Sequence, residues 1–325
     1  MPKPDAHILE LASRLASIGD FGPIVAVEPL RLTSSNRNVV LSDRDGNRCV
    51  LRVYRQQPPP HTARVRLRRE RWAYDVLASV GAPVPRVLAS SEEAHREAVL
   101  LEFVEGEPLG TLAPDLSPAW HAAGRALARV HTVNGPAAMC AGCEQVGIRA
   151  STASRGPYHY DQALANLAQL AGARSDLPVL SLGPLIESAR PLYDSAPLAL
   201  CQYDTHLWQF LLVEESGRWR CSAILDWEHA DLDDPDWDLA QLDVFRFAPT
   251  GPVPPAFFEG YGRRPRSPLY ELYRLERLAW LLHAHARGVG WVGLSVPLAE
   301  ARLHELLAEP ARLQDDIESA LAALG

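Results

Sequence analysis

Short apolar runs separated by turn residues fill the first third of the chain: VAVEPLRL, VVLS, CVLRVY, PRVLAS and EAVLLEFVE. Runs of this kind, rich in Val, Leu and Tyr and bounded by Gly, Pro, Asn and Ser, predict strands. Asp45-Gly46-Asn47 between VVLS and CVLRVY is a hairpin signal, so those two strands are expected to be antiparallel neighbours. Alternation in CVLRVY sets Val50, Arg52 and Tyr54 on one face and Cys49, Leu51 and Val53 on the other. After a linker, QQPPPH, the period changes, and RVRLRRERWAYDVLASV predicts a helix from Thr62 to Val80, closed by Gly81 and Pro83.

From Ser117 the pattern is mainly helical. SPAWHAAGRALARVHTV has Ser117 at an N-cap, Pro118 in the first turn, and Trp120, Ala123, Leu127 and Val130 on one face. Further helical patterns span about 160–172, 255–262, 269–287 and 298–324, and one β-like island occupies 199–226. No internal repeat recurs at a fixed period. A small β lobe followed by a larger helical lobe is the organisation these patterns imply.

Composition narrows the classes. A chain of 325 residues with 47% hydrophobic and 22% charged residues reads as globular, with enough material for one large or two packed domains. A net charge of -8 weighs against nucleic acid or an anionic membrane surface as the main partner and tolerates a cationic small molecule. The start MPKPDAHILE lacks a basic segment followed by an apolar one, and no apolar run is long enough to span a bilayer, so the expected location is the cytoplasm, with no membrane partner. Five scattered cysteines fit reduced thiols. Cys140 and Cys143 form one CxxC, but a four-thiolate zinc site needs a second pair. The basic tract Arg64, Arg66, Arg68, Arg69 and Arg71 reads as a solvated helix face.

The island carries the first chemistry. QYDTHLWQFLL and CSAILDWEHADLDDPDWDLA are joined by the Gly-containing turn EESGR, so a hairpin folds Asp204 and Asp226 back toward the same edge. Two carboxylates and the Gln209 amide around one point suit Mg2+, a hard ion that takes oxygen ligands and accompanies phosphates.

These two segments resemble the catalytic and metal-binding motifs of the aminoglycoside phosphotransferase and choline kinase-like superfamily, whose usual forms are close to HGDLHPGNLL and IDWEFAGLGDPAWDLA. The second match is nearly continuous; the first holds at Asp204, His206 and the trailing leucines. The resemblance spans roughly residues 25 to 240. It implies an α+β, bilobal protein-kinase-like fold: an N-terminal antiparallel β-sheet lobe with one main helix (1–104) and a larger, mainly helical C-terminal lobe (105–325).

By position, the resemblance makes Asp204 the group that orients or deprotonates the substrate hydroxyl and Asp226 the Mg2+ ligand. Gln209 stands where the family has Asn as second metal ligand. Gln202-Tyr203 replace His-Gly and Leu207-Trp208 replace Pro-Gly, so the loop cannot rely on glycine freedom. Asp238 is expected to brace the loop, and His206 to be a hydrogen-bonded loop residue. Arg52 stands where kinases have a phosphate-binding Lys, with Glu70 as its helix partner and Val50 over the adenine. Ser34, Ser35 and Asn36 of TSSNRN would cover the phosphates, or form a plain hairpin turn. Glu102 and Val104 would meet the adenine edge through backbone groups, with Leu211 and Leu225 beneath.

The activity this implies is Mg2+-dependent transfer of the γ-phosphate of ATP or GTP to a hydroxyl of a small molecule. Glu228, His229, Asp231, Tyr158, Tyr160, Trp237 and Trp280 are pocket candidates; the acids would suit an amine-bearing acceptor and the tryptophans a quaternary ammonium. Two other readings stay open: a pseudokinase-type nucleotide-binding or interaction module without turnover, favoured by Gln209, and a CxxC-dependent metal or redox protein.

Overall fold

The structure, a computed structural model, describes residues 6–30, 36–59, 61–113, 115–134, 146–148, 155–244, 253–266, 268–289 and 296–324. Ser34 and Ser35 of the expected phosphate loop, and the Cys140/Cys143 pair, lie outside the described residues.

The chain begins with α1 (Ala6–Ile18), a helix that the pattern of apolar runs leaves out. Its Ile8, Leu11, Ala12 and Leu15 recur at helical spacing and pack on Leu41, Cys49, Leu51 and Leu100. Strands β1 (Ile24–Pro29), β2 (Arg37–Asp43) and β3 (Arg48–Val53), then helix α2 (Ala63–Ser79), then β4 (Val87–Ser91) and β5 (Ala98–Glu102) follow. The strands form one antiparallel sheet in the order β1-β2-β3-β5-β4. Gly46 makes the β2–β3 turn at φ 81°, and the register sets Asn38 opposite Arg52. The alternation expected in β3 holds: Cys49 and Leu51 face α1, while Tyr54 joins the cluster containing Leu67 and Tyr74 of α2.

The Thr62 hydroxyl caps α2 by accepting from the Val65 N–H. Its arginines divide in a way that corrects the solvated-face expectation. Arg64, Arg68 and Arg71 reach Glu92 at the surface, whereas Arg66 and Arg69 are 0% and 8% exposed. Arg66 lies one helical turn before Glu70 and so shares its inward face.

The second part of the chain holds β6 (Glu107–Pro108), α3 (Ser117–Val130), α4 (Arg155–Ala173), α5 (Gly183–Ser188) and α6 (Arg190–Ser195). Then come β7 (Ala199–Cys201), β8 (Phe210–Glu215), β9 (Arg218–Ile224), β10 (Asp231–Asp233) and α7 (Pro235–Val244). The last helices are α8 (Pro255–Tyr261), α9 (Leu269–Ala286), α10 (Val296–Ala308) and α11 (Pro310–Ala322). The helical stretch expected over 298–324 is therefore two helices, because Pro310 has no N–H to continue the first and its ring displaces the preceding turn. The whole is an α+β, bilobal, kinase-like fold, and no described helix is long and apolar enough to cross a membrane.

One apolar cluster runs from Tyr54, Leu67 and Tyr74 through Trp120 and Leu127 to Phe210, Ile224 and Trp227, so sheet and helical lobes share a buried joint. A second cluster ties α4, α7, α9, α10 and α11 together. At the α3–α8 crossing, a Cβ on Gly124 would lie 2.0 Å from the Phe257 carbonyl oxygen, and one on Gly260 would lie 2.0 Å from that of His121. This contact sets Phe257 against Trp120 and against Phe210 of β8, each at 6.5 Å between ring centroids. The crossing thereby supports the hairpin that carries the two aspartates. We expect Gly124→Ala to lower stability by about 3 kcal/mol in urea denaturation. Gly183→Ala, with nothing within 4 Å of its Cβ, should change it by under about 0.5 kcal/mol. Equal midpoints for the two variants would refute the close-approach role.

Candidate active site

Hairpin β8–β9 brings its flanks together. Phe210 pairs with Ile224, and the Leu225 N–H donates to the Gln209 carbonyl at 2.8 Å. The Gln202 side-chain amide spans the two flanks, donating to the carbonyls of Leu225 at 2.5 Å and Asp226 at 3.2 Å. Asp204 and Asp226 consequently line one cavity of about 420 Å³ between sheet and hairpin.

The other residues named from sequence gather around the same space. Val50 of β3 lines it from the sheet, Leu211 and Leu225 from the hairpin, and Glu102 and Val104 from the connection between lobes. Asn36, Arg52 and Gln209 line it as well. Glu70 does not reach the cavity; it stands behind Arg52. Asn38, Tyr74 and Trp208, not named from sequence, also face this space. The Asp-Gly signal alone would not have found Asn38: a two-residue turn at Asp45-Gly46 would set it opposite Val53, whereas Asp43 pairs with Asn47 about a three-residue turn and so sets Asn38 opposite Arg52.

Arg52 is the hub. Its Nη1 donates to Glu70 Oε1 at 2.8 Å and to Asp226 Oδ1 at 2.6 Å, and its Nε to Asn38 Oδ1 at 3.3 Å. Burial disfavours the charge, but Asp226 and Glu70 outweigh it and hold the guanidinium protonated. Glu70 also accepts from the hydroxyls of Tyr54 and, at 2.8 Å, Tyr74. Its own pKa is raised by burial and opposed by Arg52.

At the first of the two motif-glycine positions, Tyr203, the loop before β8 takes a left-handed backbone that glycine adopts freely; at the second, Trp208, it does not. Tyr203 has φ 69° and Asp226 φ 67°, both in the left-handed region that costs a side-chain-bearing residue about 1–2 kcal/mol. Hydrogen bonds hold Tyr203 there. Asp238, at the start of α7, accepts from the N–H of Gln202 at 2.7 Å and of Tyr203 at 3.0 Å, and the Tyr203 hydroxyl donates to Asp233.

Asp204 titrates high, at about 7, because the cleft walls withdraw it from bulk water and Asp226 adds a like charge. Its side chain nevertheless keeps 41% of its surface open to the cavity. His206 is pushed down to about 4 by burial and is neutral; its Nδ1 accepts from the Trp208 N–H at 3.2 Å. The Gln209 amide lies 3.0 Å from His206 Nε2.

Next to Asp226 lies a buried cluster that sequence reading missed. Arg66 Nη1 donates to Glu228 Oε1 at 2.9 Å and to Asn36 Oδ1 at 3.0 Å, while Asn36 Nδ2 donates to Glu228 Oε2 at 2.5 Å. Glu228 is thereby committed to joining the lobes rather than to a substrate pocket. Trp237 and Asp231, two further pocket candidates, are also buried, at 2% and 3% exposure. Burial works against protonation of His229, but Glu228, Asp204 and Asp226 raise its pKa on balance.

Carboxylates of Glu70, Asp226 and Glu228 offer oxygens within 4.8 Å of one another. Of these, Asp226 faces the cavity, as does Gln209. Oxygen donors at a cavity beside an arginine are the kind of ligands a magnesium ion takes, so the residues present fit it.

The profile of the phosphotransferase enzyme family matches residues 26–275. A search of curated proteins finds no match. Among solved structures, the macrolide 2'-phosphotransferase of Brachybacterium faecium superposes with a TM-score of 0.61 at 19% identity, covering 92% of this chain and 97% of that one. An ethanolamine kinase of Plasmodium vivax gives 0.58 at 12% identity, over 98% and 88%. An aminoglycoside phosphotransferase of Streptomyces rimosus in complex with ADP and streptomycin gives 0.52 at 19% identity, over 86% and 99%. The backbone likeness extends over both lobes, and with a family profile covering most of its length this chain belongs to the phosphotransferase enzyme family.

Proposed function

We propose that the protein transfers the γ-phosphoryl group of ATP or GTP to a hydroxyl of a small molecule, with Mg2+, in the cytoplasm. The observation that carries this reading is the convergence of Asp204, Asp226 and Arg52 on one cavity. Relatives of similar fold act on macrolides and ethanolamine or are seen with ADP and streptomycin, which supports a small acceptor. We take residues 1–104 as the nucleotide lobe and 105–325 as the acceptor lobe.

Asp204 accepts the proton of the acceptor hydroxyl as its oxygen bonds to the γ-phosphorus and the bond to the β-phosphate oxygen breaks. Arg52, fixed by Glu70, binds the phosphates; Val50, Leu211 and Leu225 enclose the base, and the backbone at Glu102 and Val104 meets its edge. Asn36, which lines the cavity, would cover the phosphates. Asp226 and Gln209 would hold the magnesium ion, which supplies positive charge to the β- and γ-phosphates. Most of the rate then comes from positioning and charge stabilisation.

One observation favours a second reading, nucleotide binding without turnover: Asp226 is engaged by Arg52 and the Gln209 amide lies against His206. Calorimetry with ATP, with and without Mg2+, separates the two at the binding step. Clear strengthening by Mg2+ supports the transferase; binding indifferent to the ion supports the second reading, and there Gln209→Asn should raise turnover.

Asp226→Asn should lower kcat/KM on the order of a thousandfold while leaving the chain folded, because Asn tolerates the φ of 67°; losing the ion pair to Arg52 should lower the thermal midpoint without abolishing the cooperative transition. Near-normal turnover in that variant would sink the assignment. The acceptor reaction should also depend on pH through Asp204. Its raised pKa leaves the base protonated below about 7, so kcat/KM climbs as pH rises and levels off above that value. A profile flat from pH 6 to 8 would exclude Asp204 as the base.

A further inference from the structure

The β2–β3 hairpin sets a second polar side chain level with Arg52. Its register pairs Val40 with Val50 and Asn38 with Arg52. Val39 and Leu41 turn to the cluster beneath α1, so alternation puts Asn38 on the cleft face that Val50 and Arg52 share. Val50 stands over the proposed base position and Arg52 over the phosphates, two residues or about 7 Å further along the strand. Asn38 therefore stands at the phosphate end.

Its amide has one orientation. Arg52 Nε can only donate, so the atom of Asn38 that it meets at 3.3 Å is the acceptor Oδ1, and the amide nitrogen Nδ2 lies on the other side. Asn38 is 8% exposed and lines the cavity. Among the described residues Nδ2 meets no acceptor, and it is not sealed in the core, so the surface it keeps belongs to the cavity. Asn36 differs: its Oδ1 accepts from Arg66 at 3.0 Å and from the Arg55 N–H at 3.4 Å, and its Nδ2 donates to Glu228. The Asn36 amide is spent on joining the lobes, and that of Asn38 is left with a donor to give.

Beside a guanidinium, the acceptor such a donor suits is an anionic oxygen. Glu70 and Asp226 already balance the charge of Arg52, and a neutral N–H group next to it adds a hydrogen bond without another ion to neutralise. We propose that Asn38 is a direct ligand of the nucleotide's diphosphate, donating from Nδ2 to a phosphate oxygen beside Arg52. This rests on the nucleotide cavity of the transferase reading and adds a phosphate-binding residue on β2 that neither the hairpin signal nor the family motif marks.

The test uses the full chain and titrates ADP and GDP calorimetrically, with and without Mg2+, into wild type and Asn38→Leu, a side chain of similar size with no donor. Thermal midpoints confirm folding. Asn38→Leu should weaken the tighter-binding diphosphate about tenfold or more, with or without the ion. Because it also strips Arg52 Nε of its acceptor, the same substitution is made in Arg52→Lys, which has no such N–H. A direct ligand loses about tenfold there too. A second measurement needs no variant of Arg52. With isotope-labelled asparagine, of which the chain has five, the Asn38 side-chain resonance is identified by its absence in Asn38→Leu, and its protons should move downfield when the diphosphate is added. Unchanged affinity in Asn38→Leu, a loss confined to the Arg52 background, an unmoved Asn38 resonance, or no binding of either diphosphate overturns the proposal. The two readings separate on the ion. Asn38-dependent binding indifferent to Mg2+ refutes the transferase alone, and Mg2+-strengthened binding that ignores Asn38→Leu refutes the phosphate ligand alone.

Discussion

Arg52 binds two carboxylates that reach it from opposite sides of the cleft, Glu70 from the helix of the sheet lobe and Asp226 from the end of the hairpin. With Glu228, these acids converge within 4.8 Å, an arrangement that like-charge repulsion and desolvation would disrupt in the absence of cations. Arg52 answers Glu70 and Asp226, and Arg66 answers Glu228. The two guanidiniums thus hold the lobes in register through charge, while the apolar joint from Tyr54 to Trp227 holds them through burial. Removing either cation would leave a buried acid unpaired, which costs more than the pair itself is worth.

Around that charge cluster the backbone is strained in two places, Tyr203 and Asp226. Both strained residues adjoin or are the proposed reacting groups, and both are over-determined by their surroundings: Asp238 binds the loop N–H groups, and Gln202 bridges to the carbonyls of Leu225 and Asp226. A tyrosine stands here in the left-handed region at the motif's glycine position, and these hydrogen bonds offset the steric cost.

The two aspartates were legible because a hairpin signal and a near-continuous motif locate them, and Arg52 with Val50 because period-two alternation sorts a strand into faces. Asp238 was legible from its place in DPDWDLA. Other residues were not. Arg66 sits among four other arginines on a helix that looks solvated from its charge alone; its i, i+4 spacing to Glu70 gives its face, but its partner Glu228 lies on a distant segment. Helix α1 was missed because its purpose, covering the outer face of the sheet, belongs to the assembled lobe. Trp237 and Trp280 were recognised as aromatic faces, but not that Arg277 occupies them.

Local patterns of the chain determined the strands, the main helices, the hairpin that pairs the aspartates, and through the motifs the family. Those features depend on neighbours a few residues apart, where periodicity and turn chemistry act. The pairing of buried charges was decided by tertiary structure alone: Glu228 with Arg66 and Asn36, His159 between Asp233 and Glu276, Arg277 against two tryptophans. A charged side chain has no periodic signature of its partner, since electrostatic energy depends on distance and burial in space and not on separation along the chain.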